Sequence, residues 1–250
     1  MQSIVSLTFD DGLRCQFERA VPVLNKLEMR ATFFLIANRN PTHDLWSGHT
    51  DDWWKIDWRA DDIVMLKKLI RDGHEIGSHS VSHHPDNLKV PEQSQFEARE
   101  SKRLIEDWIG VPVSSFCYPF YWSHAYLSKA VRNAGYQQAR GGGVAADYVP
   151  GSSYYDVPDS GSLDRFNVDC RQIAQNENVS GWLRSGCWHV LTFHAIGDDR
   201  DGWEPITEDQ FSTNMAELAR YRDSGAVEVL TFADAAERFS PRHGILPVAS

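Results

Sequence analysis

Apolar and polar residues alternate along the chain with two different periods. Residues 3–9 alternate polar and apolar side chains as a β-strand does, whereas residues 31–36 form a short apolar run typical of a buried parallel strand. Residues 17–27 and 61–70 repeat apolar side chains at helical intervals, and residues 92–108 form the longest predicted helix. Further strands are predicted at residues 74–79, 114–118, 136–140 and 190–194. Strand and helix repeated in this order predict an α/β fold with a parallel sheet.

Two helix-start signals lie in the last part of the chain. Thr207 and Gln210 have the spacing of a capping box, and we expect the helix that they open to reach about Arg222. Thr231 and Asp234 resemble a second capping box, which predicts a terminal helix. These helices complete the alternation of helix and strand after residue 190.

Two segments, residues 38–58 and 145–164, lack a clear period and are rich in Gly, Asp, Pro and aromatic residues. Loops of such length are often functional. The tryptophans of the first segment are predicted either to line a sugar groove or to plug the rim of the sheet as core residues. They are Trp46, Trp53, Trp54 and Trp58.

Composition and charge restrict the functions that this chain can perform. Its 250 residues with 42% hydrophobic content predict one domain, residues 1–250, with a full core. No apolar run reaches the roughly 18 residues that a membrane span needs. The formal net charge of −10 argues against nucleic acid or an anionic membrane as a partner. Because no signal-peptide pattern precedes the first strand, the chain as given is expected to be cytoplasmic, unless an export segment was trimmed.

The four cysteines are scattered without a Cys-x-x-Cys pair. This spacing indicates neither a zinc knuckle nor a thioredoxin-type redox site, and it leaves open whether the cysteines form disulfides.

Two clusters of ligand-type residues follow two of the predicted strands. Asp10 and Asp11 follow the first strand in an Asp-Asp-Gly sequence. His79 ends the strand at residues 74–79, and His83 comes four residues later. Each cluster alone has a simpler explanation, since Asp-Asp-Gly is often a turn and a His-x-x-x-His pair is often solvent-exposed. A catalytic zinc-type ion takes three nitrogen or oxygen ligands and keeps one position for water. One aspartate and both histidines satisfy this requirement, and the second aspartate remains available as a base.

The sequences around these residues resemble the first two motifs of the polysaccharide deacetylases, the NodB-homology enzymes of carbohydrate esterase family four. The resemblance extends along nearly the whole chain, and it implies a NodB-like, single-domain distorted (β/α) barrel of about seven strands. It also implies that Asp10 is the general base. Asp11, His79 and His83 would hold one divalent metal ion, with zinc expected first and cobalt, nickel or manganese as alternatives.

Later segments resemble further motifs of that family. The run at residues 116–120 is similar to the third motif, which implies that Phe120, through its backbone N–H, and Tyr118 lie on the oxyanion and substrate side. Where this chain has Cys117, the family often has an arginine, which orients the general base. Arg140, at the end of a neighbouring predicted strand, is the candidate for that role, and an ordinary surface arginine is the alternative.

The run at residues 190–194 resembles the last family motif, in which His194 would be the general acid. No convincing fourth motif is found to support His194, and Asp164 and Asp169 are the candidates. The resemblance therefore implies metal-assisted removal of N-acetyl groups from a saccharide. The alternatives are a hydrolase of the same superfamily that acts on a small cyclic amide or another non-peptide C–N bond, and an inactive carbohydrate-binding homologue.

Overall fold

The strands of the protein form one sheet that positions every predicted motif. The computed structural model describes residues 2–37, 58–141, 155–156, 164–173, 175–181 and 183–238. Within these ranges the strands are β1 (Ser3–Phe9), β2 (Thr32–Leu35), β3 (Glu75–Ser78), β4 (Ser115–Cys117), β5 (Gln138–Arg140), β6 (Tyr155–Asp156), β7 (Arg171–Gln172), β8 (Cys187–Phe193) and β9 (Val227–Val229).

Seven of these strands follow one path in the order β5-β4-β3-β2-β1-β8-β6, while β7 pairs with β8 and β9 with β1. All pairs are parallel except that of β6 with β8. The predicted α/β fold, a parallel sheet curled in the manner of a distorted (β/α) barrel, is confirmed. The short strands β6, β7 and β9 were not predicted, because two or three residues carry too little periodicity.

Helices connect the strands at nearly the predicted positions. They are α1 (Val21–Lys26), α2 (Ala60–Arg71), α3 (Pro91–Ile109), α4 (Ala125–Asn133), α5 (Glu208–Asp223) and α6 (Phe232–Arg238). A π-helical turn, Gln16–Ala20, leads directly into α1. The sequence did not predict α4. At the start of α5, the Thr207 side chain accepts from the Gln210 N–H at 3.2 Å. The Gln210 side-chain Nε2 donates to the carbonyl of Glu177 at 3.3 Å, which links the start of this helix to an earlier loop.

Aromatic side chains of β1, β2 and β8 build the centre of the core. Phe9 stacks on Phe33 and Phe193, with ring centroids 4.9 and 5.3 Å apart. Trp58 is also buried and packs against Trp108, and its indole N–H donates to the Ile36 carbonyl at 2.8 Å. Trp58 is therefore a core residue. The other three tryptophans of that segment, and most of residues 145–164, lie outside the described residues.

The parallel arrangement places the carboxyl ends of β1, β3, β4, β5 and β8 at one edge of the sheet. The predicted site residues follow or end these strands. Within the described ranges no helix is long and apolar enough to cross a bilayer. All four cysteines are free thiols and are buried.

Candidate active site

A cavity of about 240 Å³ opens at this edge of the sheet, and most of the predicted site residues line it. Its walls are Asp10, Asp11, His79, His83, Tyr118, Phe120, Tyr121, His194 and Trp203. Arg140 is the one predicted site residue outside this lining, and it is fully buried. The sequence did not predict Tyr121 or Trp203.

Asp11, His79 and His83 are arranged as a metal site requires. The Asp11 Oδ1 atom lies 3.5 Å from Nε2 of His79 and 3.7 Å from Nε2 of His83. Ligands at about 2.0–2.1 Å from a tetrahedral zinc ion lie about 3.3 Å from one another, so the three side chains fit such an ion with little movement. The ring of His79 is oriented by its Nδ1–H, which donates to the Cys117 carbonyl at 2.9 Å and leaves Nε2 toward the cavity.

The protonation states of Asp11, His79 and His83 also favour the binding of a cation. Burial, together with the charge of Asp10, raises the pKa of Asp11 to about 8. Burial lowers the pKa of His79 and of His83, so both imidazoles are neutral near pH 7, as metal ligands must be. A bound divalent ion would supply the positive charge that keeps the Asp11 carboxylate ionised.

Several residues of the cavity have backbone angles that side chains seldom adopt. The φ angle is 73° at Asp11, 54° at His83, 56° at Phe120 and 61° at Tyr121. Such strain costs of order 1–3 kcal/mol for each residue and is concentrated at functional sites. The clustering of these four residues around one cavity supports its assignment as the functional site.

Asp10 and Arg140 form a buried ion pair beneath the cavity. Nη2 of Arg140 donates to Oδ2 of Asp10, so the contact expected from the sequence is present. Nη1 of Arg140 donates to Oγ1 of Thr192 at 2.6 Å. Burial alone would raise the pKa of Asp10, but the charges of Arg140, His79 and His194 lower it below the ordinary value. Asp10 is therefore an ionised carboxylate at neutral pH.

Asp10, His79 and Cys117 form a second group of ligand-type atoms close together. Arg140 makes this group unsuitable for a cation, because its Nη2 donates both to Asp10 and to the Cys117 sulfur, the latter at 2.6 Å. Burial also raises the pKa of Cys117 well above its ordinary value, which keeps it a thiol. The described residues therefore favour the site built on Asp11.

His194 lies on the other side of Asp10. Its Nε2 is 3.8 Å from Oδ2 of Asp10, and its ring meets Trp203 edge to face with centroids 4.8 Å apart. Burial lowers the pKa of His194 to about 4. The suggestion that Asp164 supports His194 is wrong, because Asp164 is exposed and pairs with Arg132 at 3.1 Å. The assignment of Asp169 stays a prediction.

Gln16 joins the two strands that carry Asp10 and His194, and sequence reasoning missed it. Its buried amide Nε2 donates to the main-chain carbonyl of Asp10 at 2.5 Å and to that of His194 at 3.0 Å. Its Oε1 accepts from the Leu13 N–H. In the sequence Gln16 lies beside a predicted amphipathic helix, where nothing distinguishes it from an ordinary polar residue.

Aromatic side chains form the remaining walls. The Phe120 ring packs on His83, with centroids 4.4 Å apart. Burial raises the pKa of Tyr118 to about 12, and its hydroxyl donates to the Phe166 carbonyl at 3.0 Å. The ring of Tyr118, rather than its hydroxyl, is thus presented to the cavity. The roles of Phe120 and Tyr118 toward a substrate stay predictions.

Comparisons with known proteins identify similar sequences and similar folds. The family model described as polysaccharide deacetylase matches residues 1–139. The protein YxkH of Bacillus subtilis is 29% identical over 137 residues, which are 54% of this chain and 43% of that protein. The peptidoglycan-N-acetylglucosamine deacetylase of Bacillus cereus is 25% identical over 140 residues, 54% of this chain and 55% of that protein. The match thus spans about half the length of these curated relatives.

Solved structures share the fold over nearly the whole chain. The Xyl-CE4 domain of a multidomain xylanase from the hindgut metagenome of Trinervitermes trinervoides has a TM-score of 0.58 at 16% identity, covering 95% of this chain and 91% of that one. A family 4 acetyl xylan esterase from Clostridium thermocellum, in complex with a cobalt ion, has a TM-score of 0.57 at 18% identity, covering 93% and 89%. At such identities the likeness shows the fold alone.

Proposed function

Because the chain belongs to the polysaccharide deacetylase family, we propose that it is a metal-dependent hydrolase that removes N-acetyl groups from an amino-sugar-containing glycan or saccharide. One observation carries the proposal: Asp11, His79 and His83 converge beside the Asp10–Arg140 pair in a single cavity. A binding protein needs aromatic walls but has no need of a buried base next to three metal-type ligands.

Asp11, His79 and His83 are the residues that would hold the metal. The cobalt ion of the structurally similar acetyl xylan esterase supports a divalent cation here. Zinc is expected first because two imidazoles and one carboxylate suit it, and cobalt, nickel or manganese are the alternatives. When bound, such an ion lowers the pKa of a water molecule and polarises an acyl carbonyl.

Asp10 is proposed to act as the general base. It lies within the cavity, and Arg140 holds it ionised and in place through a charge-assisted hydrogen bond. Its carboxylate accepts a proton from the water that attacks the acyl carbon. The backbone N–H of Phe120 is proposed to donate to the oxyanion that forms.

His194 is proposed to deliver a proton to the departing amine. With a pKa of about 4 it is neutral at pH 7, so it must first gain the proton that it donates. Asp10 is a suitable source, since its Oδ2 lies 3.8 Å from Nε2 of His194 and one water or a small movement bridges that gap. The products are acetate and a free amino group.

The shape of the cavity favours a sugar substrate. Phe120, Tyr121 and Trp203 present aromatic surfaces around the polar centre. Flat aromatic faces pack against the apolar faces of sugar rings, and the charged residues of the cavity would then face the acetamido group. The replacement of the usual arginine by Cys117 would favour a different amide, but Arg140 supplies the same positive charge to Asp10.

An assay of acetate release tests the proposal. The protein would be freed of metal, reloaded with zinc or cobalt, and incubated with N-acetylated glycans, O-acetylated sugars and small cyclic amides. Acetate would be measured for the acetylated substrates, and the ring-opened product would be measured by chromatography for the cyclic amides, which release no acetate. We expect metal-dependent release of acetate from an N-acetylated saccharide. Turnover of cyclic amides alone would show that the protein is the alternative amide hydrolase. If the metal-loaded protein turned over none of these substrates, the inactive carbohydrate-binding homologue would be the remaining interpretation.

A further inference from the structure

Glu97, in the middle of α3, is a buried carboxylate that the proposed chemistry does not use. Its side chain is 1% exposed. The Oε2 atom accepts from the backbone N–H groups of Val81 at 2.8 Å and of Ser82 at 2.9 Å. The Oε1 atom accepts from Oγ of Ser82 at 2.6 Å and from Nδ2 of Asn87 at 3.1 Å. Three of these four bonds come from the segment between His79 and His83.

That segment, residues 79–84, is here called the ligand loop. It turns sharply, because Ser80 and His83 have φ angles of 69° and 54°. Without glycine, two left-handed residues so close together are unfavourable and persist only when the surroundings hold them. Within the loop, the His83 N–H donates to Oγ of Ser80 at 3.0 Å. Glu97, which lies outside the loop, binds the two residues between Ser80 and His83, namely Val81 and Ser82.

A carboxylate is well suited to this position. Burying a charged group is unfavourable unless hydrogen bonds compensate for the lost water, and both oxygens of Glu97 are fully engaged. Glutamine has one acceptor oxygen instead of two, so it would lose either the backbone pair or the Ser82 and Asn87 bonds. An apolar residue would leave the loop N–H groups without an acceptor in the core.

We propose that Glu97 is the positioning residue of the ligand loop, and that it holds His83 in the strained conformation that directs Nε2 to the metal. The inference rests on the proposed function, because it takes His83 as a metal ligand. Glu97 does not touch the metal site itself. It acts through the backbone of Val81 and Ser82, as residues around a metal centre often orient the ligands.

The proposal predicts that metal affinity depends on Glu97 more than on other carboxylates of α3. Zinc binding to the metal-free protein would be measured by calorimetry with chelator competition. We expect Glu97→Gln to weaken binding by about 10- to 100-fold, and Glu97→Ala by more.

The matched control is Glu106→Gln, which makes the same change on the same helix. Glu106 also accepts a backbone N–H, that of Val113 at 2.9 Å, but outside the ligand loop. We expect the zinc affinity of the Glu106→Gln variant to stay within about twofold of wild type.

A second measurement does not depend on metal. Amide hydrogen exchange at Val81 and Ser82 in the metal-free protein should be faster in Glu97→Gln than in Glu106→Gln, because only the first variant frees the loop. Should Glu97→Gln fail to fold, Ser82→Ala removes the Ser82 hydroxyl that donates to Glu97 and that also accepts from the His84 N–H and from Asn87. We expect a smaller loss of affinity in the same direction, because both backbone bonds to Glu97 remain.

The outcomes separate the two proposals. Wild-type protein that binds none of zinc, cobalt, nickel and manganese would overturn the proposed function and this inference with it. Wild-type protein that binds zinc, with Glu97→Gln or Ser82→Ala equal to it in affinity and in exchange, would overturn the role of Glu97 alone.

Discussion

Asp10 and Asp11 are adjacent in sequence, yet their surroundings give them opposite properties. Arg140 and the nearby imidazoles lower the pKa of Asp10 against the effect of burial, whereas burial and the charge of Asp10 raise the pKa of Asp11 to about 8. Carboxylates whose pKa values are separated by their environment commonly have separate chemical roles. Here the paired carboxylate is suited to be the base and its neighbour to bind a cation.

This division predicts different effects for substitutions at the two kinds of position. Asp10→Asn should keep nearly all of the bound metal and lower turnover by roughly 10²- to 10⁴-fold, as expected for loss of a general base. His79→Ala should lose the metal itself, because one of three ligands is removed. The metal content of both variants would be measured by mass spectrometry, and their turnover by acetate release. An equal loss of metal in both variants would show that Asp10 is also a ligand.

Arg140 provides a test through pH. Because its positive charge lowers the pKa of Asp10, Arg140→Ala should raise that pKa. The base must be ionised to work, so the acidic limb of the pH–rate profile should move to higher pH and the rate at neutral pH should fall.

A matched control for Arg140→Ala is Arg103→Ala, which removes an exposed arginine paired with Glu100 and Asp107 on α3. We expect its profile to equal that of the wild type, because exposed charges are screened by solvent. If Arg140→Ala also kept the wild-type acidic limb, Asp10 would not be tuned by Arg140.

At the scale of elements, β2 and β3 approach each other through Gly77. A Cβ atom at this position would lie 2.5 Å from ring carbons of Phe34 and 3.1 Å from the Ser115 carbonyl oxygen. The strand β3 ends at Ser78, directly before His79, so this close contact lies two residues from the first of the two histidines.

Gly77→Ala should therefore destabilise the protein by about 1–3 kcal/mol, the usual effect of overpacking a core. Gly181→Ala is the control, since a Cβ atom there would meet nothing within 4 Å. Urea unfolding of both variants measures the free energy of unfolding. A Gly77→Ala variant as stable as Gly181→Ala would mean that Phe34 moves aside without cost.

For the molecule as a whole, buried histidines couple stability to pH. His74 lies outside the cavity, where its Nδ1 accepts from the Ala31 N–H at 3.2 Å and its Nε2 lies 3.0 Å from Oδ1 of Asn25. Burial lowers its pKa from 6.5 to about 4. Between these values the unfolded chain binds a proton at His74 and the folded protein does not, so the free energy of unfolding falls as the pH falls through this window.

His74→Gln should make this loss smaller, since glutamine retains a donor and an acceptor but does not titrate. Relative to wild type, we expect the decrease in the free energy of unfolding between pH 7 and pH 5 to shrink by roughly 1–2 kcal/mol. Urea unfolding of both metal-free proteins at the two pH values gives this difference and cancels the titration of Asp11. Equal decreases in the two proteins would show that His74 titrates normally when folded.

The sequence by itself determined the order of the longer strands and of the helices other than α4, and the edge of the sheet where the predicted site residues lie. The reason is physical: periodicity is local, and parallel strands place all their carboxyl ends together. Asp10, Asp11, His79 and His194 all follow predicted strand ends, so their convergence could be expected. The pairing of Arg140 with Asp10 followed for the same reason, because both lie at that edge.

Only the tertiary structure decided which residues hold these side chains. Gln16 bridges carbonyls of Asp10 and His194, and Glu97 accepts from the backbone of Val81, 16 residues earlier. Trp203 reaches His194 from a later loop. Neither a local period nor a motif marks such contacts, because they depend on how connected segments pack after the sheet forms. Burial and the placement of charges likewise exist only in the folded chain. Both aspartates are buried, and it is the charges around each carboxylate, Arg140 beside Asp10 and Asp10 beside Asp11, that separate their pKa values.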